Sequence, residues 1–260
     1  MTVSWTFGGT ALTSFGKVTL MDDYIGTATR RGGNQIIPFR NGDIFASKYF
    51  EGRKFTFGMA ITAASATALE TTFDNMRKLF GVRTEQVLAM TMEDSSVRNI
   101  SATVNDPIQV SRKTATLALV VVKFDCAAAV WRLSTAIADN TTVINTNPKA
   151  MTVTNPGTVA ERNATITLTG TLTNTVITNS TTGETLTYTG TITSPRVVTI
   201  SVNAYGEYIA TDDLGANVIG NITHTGSTAL MTFNPGANTL SVADASGAGT
   251  VKVAFNAPFL

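Results

Sequence analysis

The sequence predicts a mainly β protein in two halves of similar size, with one α-helix in the first half. Two observations predict this class. Near Trp131 the composition changes, and beyond it threonine is abundant while charged residues are about half as many as before. Apolar residues recur with a helical period over 66–80, whereas most other segments alternate with the period of two that is typical of half-buried strands.

The length of 260 residues allows two domains, each large enough to bury a core of its own. We expect the first domain to span 1–133 and the second 134–260. The start of the chain, 1–5, has no basic and apolar regions of a secretory signal. No apolar run approaches the ~18–20 residues of a membrane span. We therefore expect synthesis in a cytoplasm and no membrane insertion.

The composition disfavours several classes of function. Charged residues make up 14% of the chain, against roughly 25% in an average soluble protein, and the net charge is +1. So few charges require a surface kept wet by hydroxyls or buried against partners. Cys126 and His224 are the single cysteine and histidine of the sequence, which leaves no disulfide, cysteine zinc site or two-histidine metal centre. We expect no cofactor, no metal, and His224 on an exposed loop.

Residues 24–50 predict a protruding β-arm. Asn41-Gly42 is a strong signal for a tight hairpin, because both central residues of a type I′ turn need a positive φ. A basic, glycine-rich segment can also bind phosphate, but this one lacks the P-loop pattern. We therefore favour an arm that packs on a neighbouring surface. Its candidate contact residues are Arg30, Arg31, Ile36, Ile37, Phe39 and Arg40.

A strand over 53–61 and a helix over 66–80 follow the arm. Thr67 and Glu70 have the spacing of a capping box, and Gly81 is a natural stop for the helix. The apolar stripe of the helix is expected to be core that covers one sheet face. Its members are Leu69, Phe73, Met76 and Phe80.

The remaining segments of the first half predict strands. We expect a strand pair within 3–20 turning at Gly8-Gly9, a pair over 87–92 and 98–104, and a long central strand over 114–124. Acidic residues at the turns and strand ends are expected to be solvated and not paired for glycoside hydrolysis. They are Glu93, Asp94 and Asp106.

The second half predicts an antiparallel β-sandwich. Over 163–172 and 185–192, threonines alternate with apolar residues. Threonine is β-branched, and its hydroxyl keeps one face of a strand wet without charge while the other face is buried. Turn signals such as Asn-Pro-Gly recur, and 137–151 is polar and weakly patterned, which predicts a linker.

Several motifs stand in a characteristic order: 40–43 in the arm, 52–55 before the helix, 90–106 before the strand that ends at 131–133, 155–158, and 234–240. This order resembles the distal tail proteins of long-tailed, non-contractile phages of the siphovirus type. Segment 234–240 resembles the Pro-Gly-x-Asn turn of their galectin-like domain. The resemblance covers nearly the whole chain.

The resemblance implies a structural virion protein at the phage tail tip, made in the host cytoplasm, and no enzyme. Domain 1–133 would form a hexamer ring, the hub of the baseplate, with the arm 24–50 wrapping a neighbouring subunit. The galectin-like domain 134–260 would project outward. Its partners would be other copies of the chain, the tail tube protein, tip or tape-measure proteins and receptor-binding proteins. DNA would only pass through the lumen, so we expect the arm arginines to contact protein.

Other classes of function stay open at the level of sequence. A tail tube subunit also forms rings, but a separate second sandwich fits a hub better. A carbohydrate-binding adhesin would need an exposed aromatic side chain in 134–260. Tyr188, Tyr205 and Tyr208 are the candidates, although burial in the sandwich is the more common fate of such tyrosines. An enzyme would need clustered titratable groups in a pocket.

Overall fold

Antiparallel strands account for most of the chain, which confirms the predicted mainly β class. The computed structural model describes residues 3–21, 28–31, 35–36, 43–44, 49–137, 140–203, 206–226, 230–246 and 248–260. Two units separate within it: residues 1–134 together with Leu260, and residues 135–259.

The first unit places its strands in two antiparallel sheets and two short ladders. The elements are β1 (Ser4–Phe7), β2 (Thr10–Ala11), a 3-10 helix (Leu12–Ser14), β3 (Lys17–Leu20), β4 (Arg30–Arg31), β5 (Gln35–Ile36), β6 (Asp43–Ile44), β7 (Tyr49–Phe50), β8 (Arg53–Thr62), α1 (Ala66–Phe80), β9 (Gln86–Thr91), β10 (Val97–Ala102), β11 (Gln109–Arg112), β12 (Leu117–Cys126) and β13 (Trp131–Leu133). One sheet has the neighbours β2-β1-β9-β10-β13, and the other has the order β11-β12-β8-β3. In the two short ladders, β4 pairs with β7 and β5 pairs with β6.

Aromatic side chains from both sheets form the core of this unit. The Trp5 ring of β1 lies 5.0 Å from Phe57 of β8, and Phe7 lies 4.9 Å from Phe124 of β12. Such edge-to-face pairs suit the ring quadrupole and bury large apolar areas. The two sheets therefore pack face to face as a sandwich.

The first strand pair differs in part from the prediction. Gly8 and Gly9 make the expected two-residue turn, with φ of 53° and 80°, and join β1 to β2. The run that becomes β3 does not join this pair, because it lines up with β8 in the other sheet, where Val18 lies opposite Met59. A period-two pattern fixes which face of a strand is buried but not which strand is its neighbour.

Helix α1 has the predicted bounds, the predicted buried stripe and the predicted stop at Gly81, but its N-cap differs. Ser65 is the N-cap, and its hydroxyl accepts a hydrogen bond from Ala68 N at 3.1 Å. Glu70, predicted to complete a capping box, instead binds Arg112 Nη1 at 2.7 Å. Gly81 ends the helix with an ordinary φ of −81°, and its N–H donates to Arg77 O.

Replacing Phe73 by alanine tests whether the helix stripe is core. Phe73 is 7% exposed, so we expect Phe73→Ala to lower the free energy of unfolding by about 3–5 kcal/mol, because a cavity replaces the ring. Denaturant unfolding measures the change. The exposed Lys78→Ala on the same helix is the control, with an expected change within about 0.5 kcal/mol. A loss below about 1 kcal/mol for Phe73→Ala would contradict the core assignment.

The second unit is also built from two antiparallel sheets. The elements are β14 (Asn140–Val143), β15 (Lys149–Asn155), β16 (Thr165–Thr173), β17 (Val176–Asn179), β18 (Glu184–Tyr188), β19 (Thr191–Ile192), β20 (Val197–Val202), β21 (Tyr208–Asp212), a 3-10 helix (Ile219–Asn221), β22 (Ile222–His224), β23 (Gly236–Ala243), β24 (Ala248–Ala254) and β25 (Pro258–Phe259). One sheet has the order β14-β24-β16-β20-β21, with β19 also paired to β16. The other sheet has the order β15-β23-β17-β18-β22.

The threonine alternation places side chains as predicted. On β16, Ile166 and Leu168 are buried, while Thr165, Thr167 and Thr169 are half-buried on the other face. The predicted linker 137–151 is wrong in part, because it contains β14 and the start of β15. As β14 lies at the edge of its sheet, its outward residues remain exposed, and its pattern looks polar in the sequence.

Buried carboxamides hold the turns of the second unit, those of Asn155, Asn179 and Asn238. Asn155 Oδ1 accepts a hydrogen bond from Gly157 N at 2.9 Å, and its Nδ2 donates to Phe233 O at 3.0 Å. A carboxamide can donate and accept at once, so it satisfies both kinds of backbone group where strands end.

Asn238 closes the turn that begins at Asn234. Its Oδ1 accepts from Asn234 N at 2.9 Å, and its Nδ2 donates to Asn234 O at 2.8 Å, to Gly236 O at 3.1 Å and to Val153 O at 3.3 Å. The Asn-Pro-Gly segment that begins at Asn234 is therefore held in its turn by the buried side chain of Asn238, four residues later in the sequence.

Removing this carboxamide tests its contribution. We expect Asn238→Ala to lower the free energy of unfolding by about 1–3 kcal/mol, because backbone groups of the turn lose their partner. Thermal or denaturant unfolding measures the effect. Asn163→Ala is the control, since Asn163 is exposed, and it should change stability by no more than about 0.5 kcal/mol. Equal effects of the two substitutions would refute this account of the turn.

Candidate assembly interface

The described part of the arm segment pairs in two nested ladders. Strands β4 and β7 pair Arg30 with Phe50, and β5 and β6 pair Ile36 with Asp43. Glu51 N donates to Thr29 O at 2.7 Å and extends the first ladder by one position. Nested antiparallel registers of this kind are the pairing pattern of a β-hairpin.

The structure locates part of the predicted contact set. Arg30 is exposed, and its guanidinium lies 5.3 Å from the centre of the Phe50 ring, a cation–π contact within the arm itself. Arg31 stands opposite Tyr49 on β4, and Ile36 is on β5. The other predicted contact residues lie outside the described part of the chain, namely Ile37, Phe39 and Arg40.

The arm segment joins the first unit through a close backbone contact at Gly52. A Cβ added to this glycine would lie 2.3 Å from Cys126 O and 3.0 Å from Ala127 O, too close for any other residue without a backbone shift. The next side chain, Arg53, is buried and donates from Nε to Ala129 O at 2.8 Å. The junction is therefore fixed by β12 and the residues that follow it.

The sheet β11-β12-β8-β3 carries exposed apolar residues among polar ones on its outer face, where Lys17 lies opposite Ala60 and Thr19 opposite Gly58. Leu119 of β12 is 44% exposed and lies opposite Ala60 of β8, and the next row of this face places Val121 opposite Gly58. Met21 is 64% exposed, and its Sδ is 3.5 Å from where a Gly58 Cβ would lie. We call this surface, with its small residues at the centre and large ones around them, the outer face of the first unit.

Sequence reasoning missed the outer face. The apolar run 117–122 lies in the strand predicted to be central, yet Leu119 is exposed and Leu117 and Val121 are half-buried. A usable signal was the neighbouring strand, where Gly58 and Ala60 stand between the large apolar residues Phe57, Met59 and Ile61 and therefore lie on the opposite face. Small residues on one face of a strand indicate space for something laid across it.

The described titratable residues include no group that could ligate a metal ion, and those considered in the sequence have structural surroundings. No three His, Cys, Asp or Glu side chains in the described part of the chain are grouped so that they could hold a metal. Burial raises the pKa of the Cys126 thiol to about 12, so it is not a nucleophile at neutral pH. Asp106 makes a surface ion pair with Lys123 at 3.3 Å.

The prediction that His224 lies on a loop is wrong, because this residue ends strand β22. It is exposed and lies opposite Leu186, with its ring 5.6 Å from that of Tyr208. Its loop-like sequence reflects the short strand at the edge of a sheet.

Among the described residues, the structure has no helix with both the length and the apolar character needed to cross a bilayer.

The fold has a counterpart among solved structures over the whole chain. The crystal structure of SPP1 Dit (gp 19.1), described as a paradigm of the hub adsorption apparatus in phages that infect Gram-positive bacteria, superposes with a TM-score of 0.73. The two sequences are 14% identical, and the match covers 100% of both chains. The predicted resemblance to phage distal tail proteins is therefore confirmed for the fold.

Other comparisons add less. A structure of the phage P2 baseplate in its activated conformation matches with a TM-score of 0.48 and 9% identity, over 100% of both chains. No protein-family model and no curated protein sequence matches the chain significantly.

A substitution at the arm junction tests its close packing. We expect Gly52→Ala to lower the free energy of unfolding by about 1–3 kcal/mol, because the new Cβ forces the backbone of Cys126 to move. Gly220→Ala is the matched control, since an added Cβ there meets nothing within 4 Å. Denaturant unfolding compares them. If Gly52→Ala is as stable as the control, the junction is not tightly packed.

Proposed function

We propose that this chain is a structural protein of a phage tail tip, a hub that closes into a ring of six copies. The observation that carries the proposal is the likeness to SPP1 Dit along the full length of both chains. Since one fold can serve several functions, the proposal also needs surfaces suited to assembly. The arm segment and the outer face of the first unit supply them.

The arm of one subunit is proposed to lie on the outer face of the next. On that face Leu119 and Met21 are exposed, and the Met21 side chain lies over Gly58, where it can contact an incoming apolar side chain. Large exposed apolar patches rimmed by polar residues commonly mark interfaces. The arm offers apolar residues of its own, among them Ile36, Ile37 and Phe39.

A contact between an arm and a different surface of the neighbour is heterologous. Such a contact forms a closed ring when its rotation closes, and a filament when it does not. A closed ring would also cover exposed apolar surface of a chain with only 14% charged residues, because each subunit would bury such surface against two others. The arginines Arg30, Arg31 and Arg40 are then assigned to protein contacts.

The ring is proposed to join the tail tube to the tip and receptor-binding proteins in the virion. Residues 1–133 form the ring, and residues 134–260 form a galectin-like domain that projects outward. DNA passes through the lumen without being held, in keeping with the net charge of +1, because each phosphate contact would add affinity. The protein acts by geometry, and no enzymatic step is part of the proposal.

Deleting residues 24–50 tests the arm. The wild-type chain is expected to have six times the mass of one copy by light scattering and to form rings in negative stain. The deletion, closed by a short Gly-Ser linker, is expected to remain a single copy while its circular dichroism still shows folded β structure. Six-fold rings formed by the deletion variant would refute the arm, and a wild type that stays monomeric would contradict self-assembly into a ring.

A point substitution tests the outer face without removing any chain. Leu119→Lys is expected to prevent ring formation, because it places a charge in a surface that becomes buried. Val143→Lys is the matched control, since Val143 is also an exposed apolar residue on an outward strand position, at 58% exposure, but in the second unit. Rings from Leu119→Lys would show that the outer face is not the acceptor.

A further inference from the structure

The second unit contains a cavity of about 280 Å³ that the hub proposal does not use. It lies among β18, β19, β20 and β21, and residues of all four strands or their ends line it. Its size is near the lower end of small-molecule sites. The lining combines apolar side chains with hydroxyl groups and one ion pair, so its chemistry can be examined group by group.

Tyr188 provides a buried side chain with an unused polar group. The residue is 6% exposed and lines the cavity, yet its hydroxyl has no hydrogen-bond partner among the residues that the structure describes. The hydroxyl of a buried tyrosine ring ordinarily hydrogen-bonds to protein or water, and here it is open to the cavity. Because the cavity adjoins this side chain, a ligand with a hydroxyl group is well placed to be that partner.

Arg196 and Asp212 form the charged wall of the cavity, and Asp213, which does not line it, binds the same guanidinium. Its Nε donates to Asp213 Oδ1 at 2.6 Å, and its Nη2 donates to Asp212 Oδ2. Arg196 lowers the pKa of Asp213, so that carboxylate is ionised at neutral pH. One guanidinium beside two carboxylates leaves a net negative charge, which disfavours an anionic ligand.

The remaining lining suits a molecule with both apolar and hydroxylated surfaces. Ile192 and Val198 are buried apolar side chains, while Thr191 and Thr193 are exposed and bring hydroxyl groups. A sugar ring presents C–H groups on its faces and hydroxyls at its edge. It can therefore contact the apolar residues and exchange hydrogen bonds with the hydroxyls at the same time.

We propose that this cavity binds one neutral sugar residue, with the Tyr188 hydroxyl as a direct hydrogen-bond partner. The inference does not depend on the ring, because it concerns the second unit alone. It assigns a role to one of the three tyrosines that the sequence suggested. Tyr208 does not line the cavity, and Tyr205 lies outside the described residues.

Titration of the full-length chain with single sugars tests the proposal. Glucose, galactose and N-acetylglucosamine are the neutral probes, and glucuronate and inorganic phosphate are the charged ones. By saturation-transfer NMR and calorimetry we expect at least one neutral sugar to bind with a Kd on the order of 1 mM, a usual strength for a small ligand with few contacts. The charged probes are expected to bind at least several-fold more weakly.

Tyr188→Phe is the decisive variant, since it removes one hydroxyl and keeps the buried ring. We expect it to weaken the bound sugar about 5- to 10-fold, the value of one hydrogen bond, whereas Tyr208→Phe leaves the affinity unchanged. If Tyr188→Phe does not fold, Thr193→Val is the second variant, because Thr193 is exposed. We expect it to weaken the affinity for the sugar several-fold.

Three results would overturn the proposal: no neutral probe binds at about 10 mM, the charged probes bind more tightly, or a folded Tyr188→Phe binds like the wild type, with Thr193→Val deciding the question if Tyr188→Phe does not fold. None of these results bears on ring formation, which light scattering measures separately.

Discussion

The ladder between β8 and β12 is the constraint on which the rest of the first unit depends. Ten consecutive residue pairs join the two strands, from Arg53 with Cys126 to Thr62 with Leu117. Because side chains alternate along a strand, this register decides at once which residues enter the core and which form the outer face. A shift of one residue would turn the aromatic side chains outward and bury the charged ones.

Both units bury an apolar core, and the second adds buried polar groups to it. In the first, rings such as those of Trp5, Phe57 and Phe124 fill the space between two sheets. In the second, apolar side chains such as Ile166 and Phe233 form the core, and hydrogen-bonded polar groups hold the turns around it. Asp244 is 3% exposed, and its Oδ2 accepts from Thr173 N at 2.8 Å and from Thr175 Oγ1 at 2.7 Å. Satisfied groups of this kind fix turn geometry, whereas unsatisfied ones would be costly.

The long ladder of the first unit and the polar side chains of the second suit the two proposed roles. A ring subunit needs a rigid sheet with one face free for its neighbour, and the long ladder leaves such a face around Leu119 and Gly58. A projecting domain has to stay soluble with few charges, and threonine hydroxyls on the outward face of β16 do that. The cavity beside Tyr188 lies in the unit that would project, where a ligand on a cell surface would be met.

The sequence by itself determined what depends on local periodicity: the mainly β class, the bounds of α1, its buried stripe, the Gly8-Gly9 turn and the alternation on β16. Strand neighbours were decided only by the tertiary structure, since β3 could pair with either sheet on its pattern alone. The same holds for the outer face, because exposure of Leu119 depends on what covers it. It holds too for the cavity at Tyr188, because its lining comes from four successive strands within 188–218, and the sequence pattern does not encode which of their side chains meet.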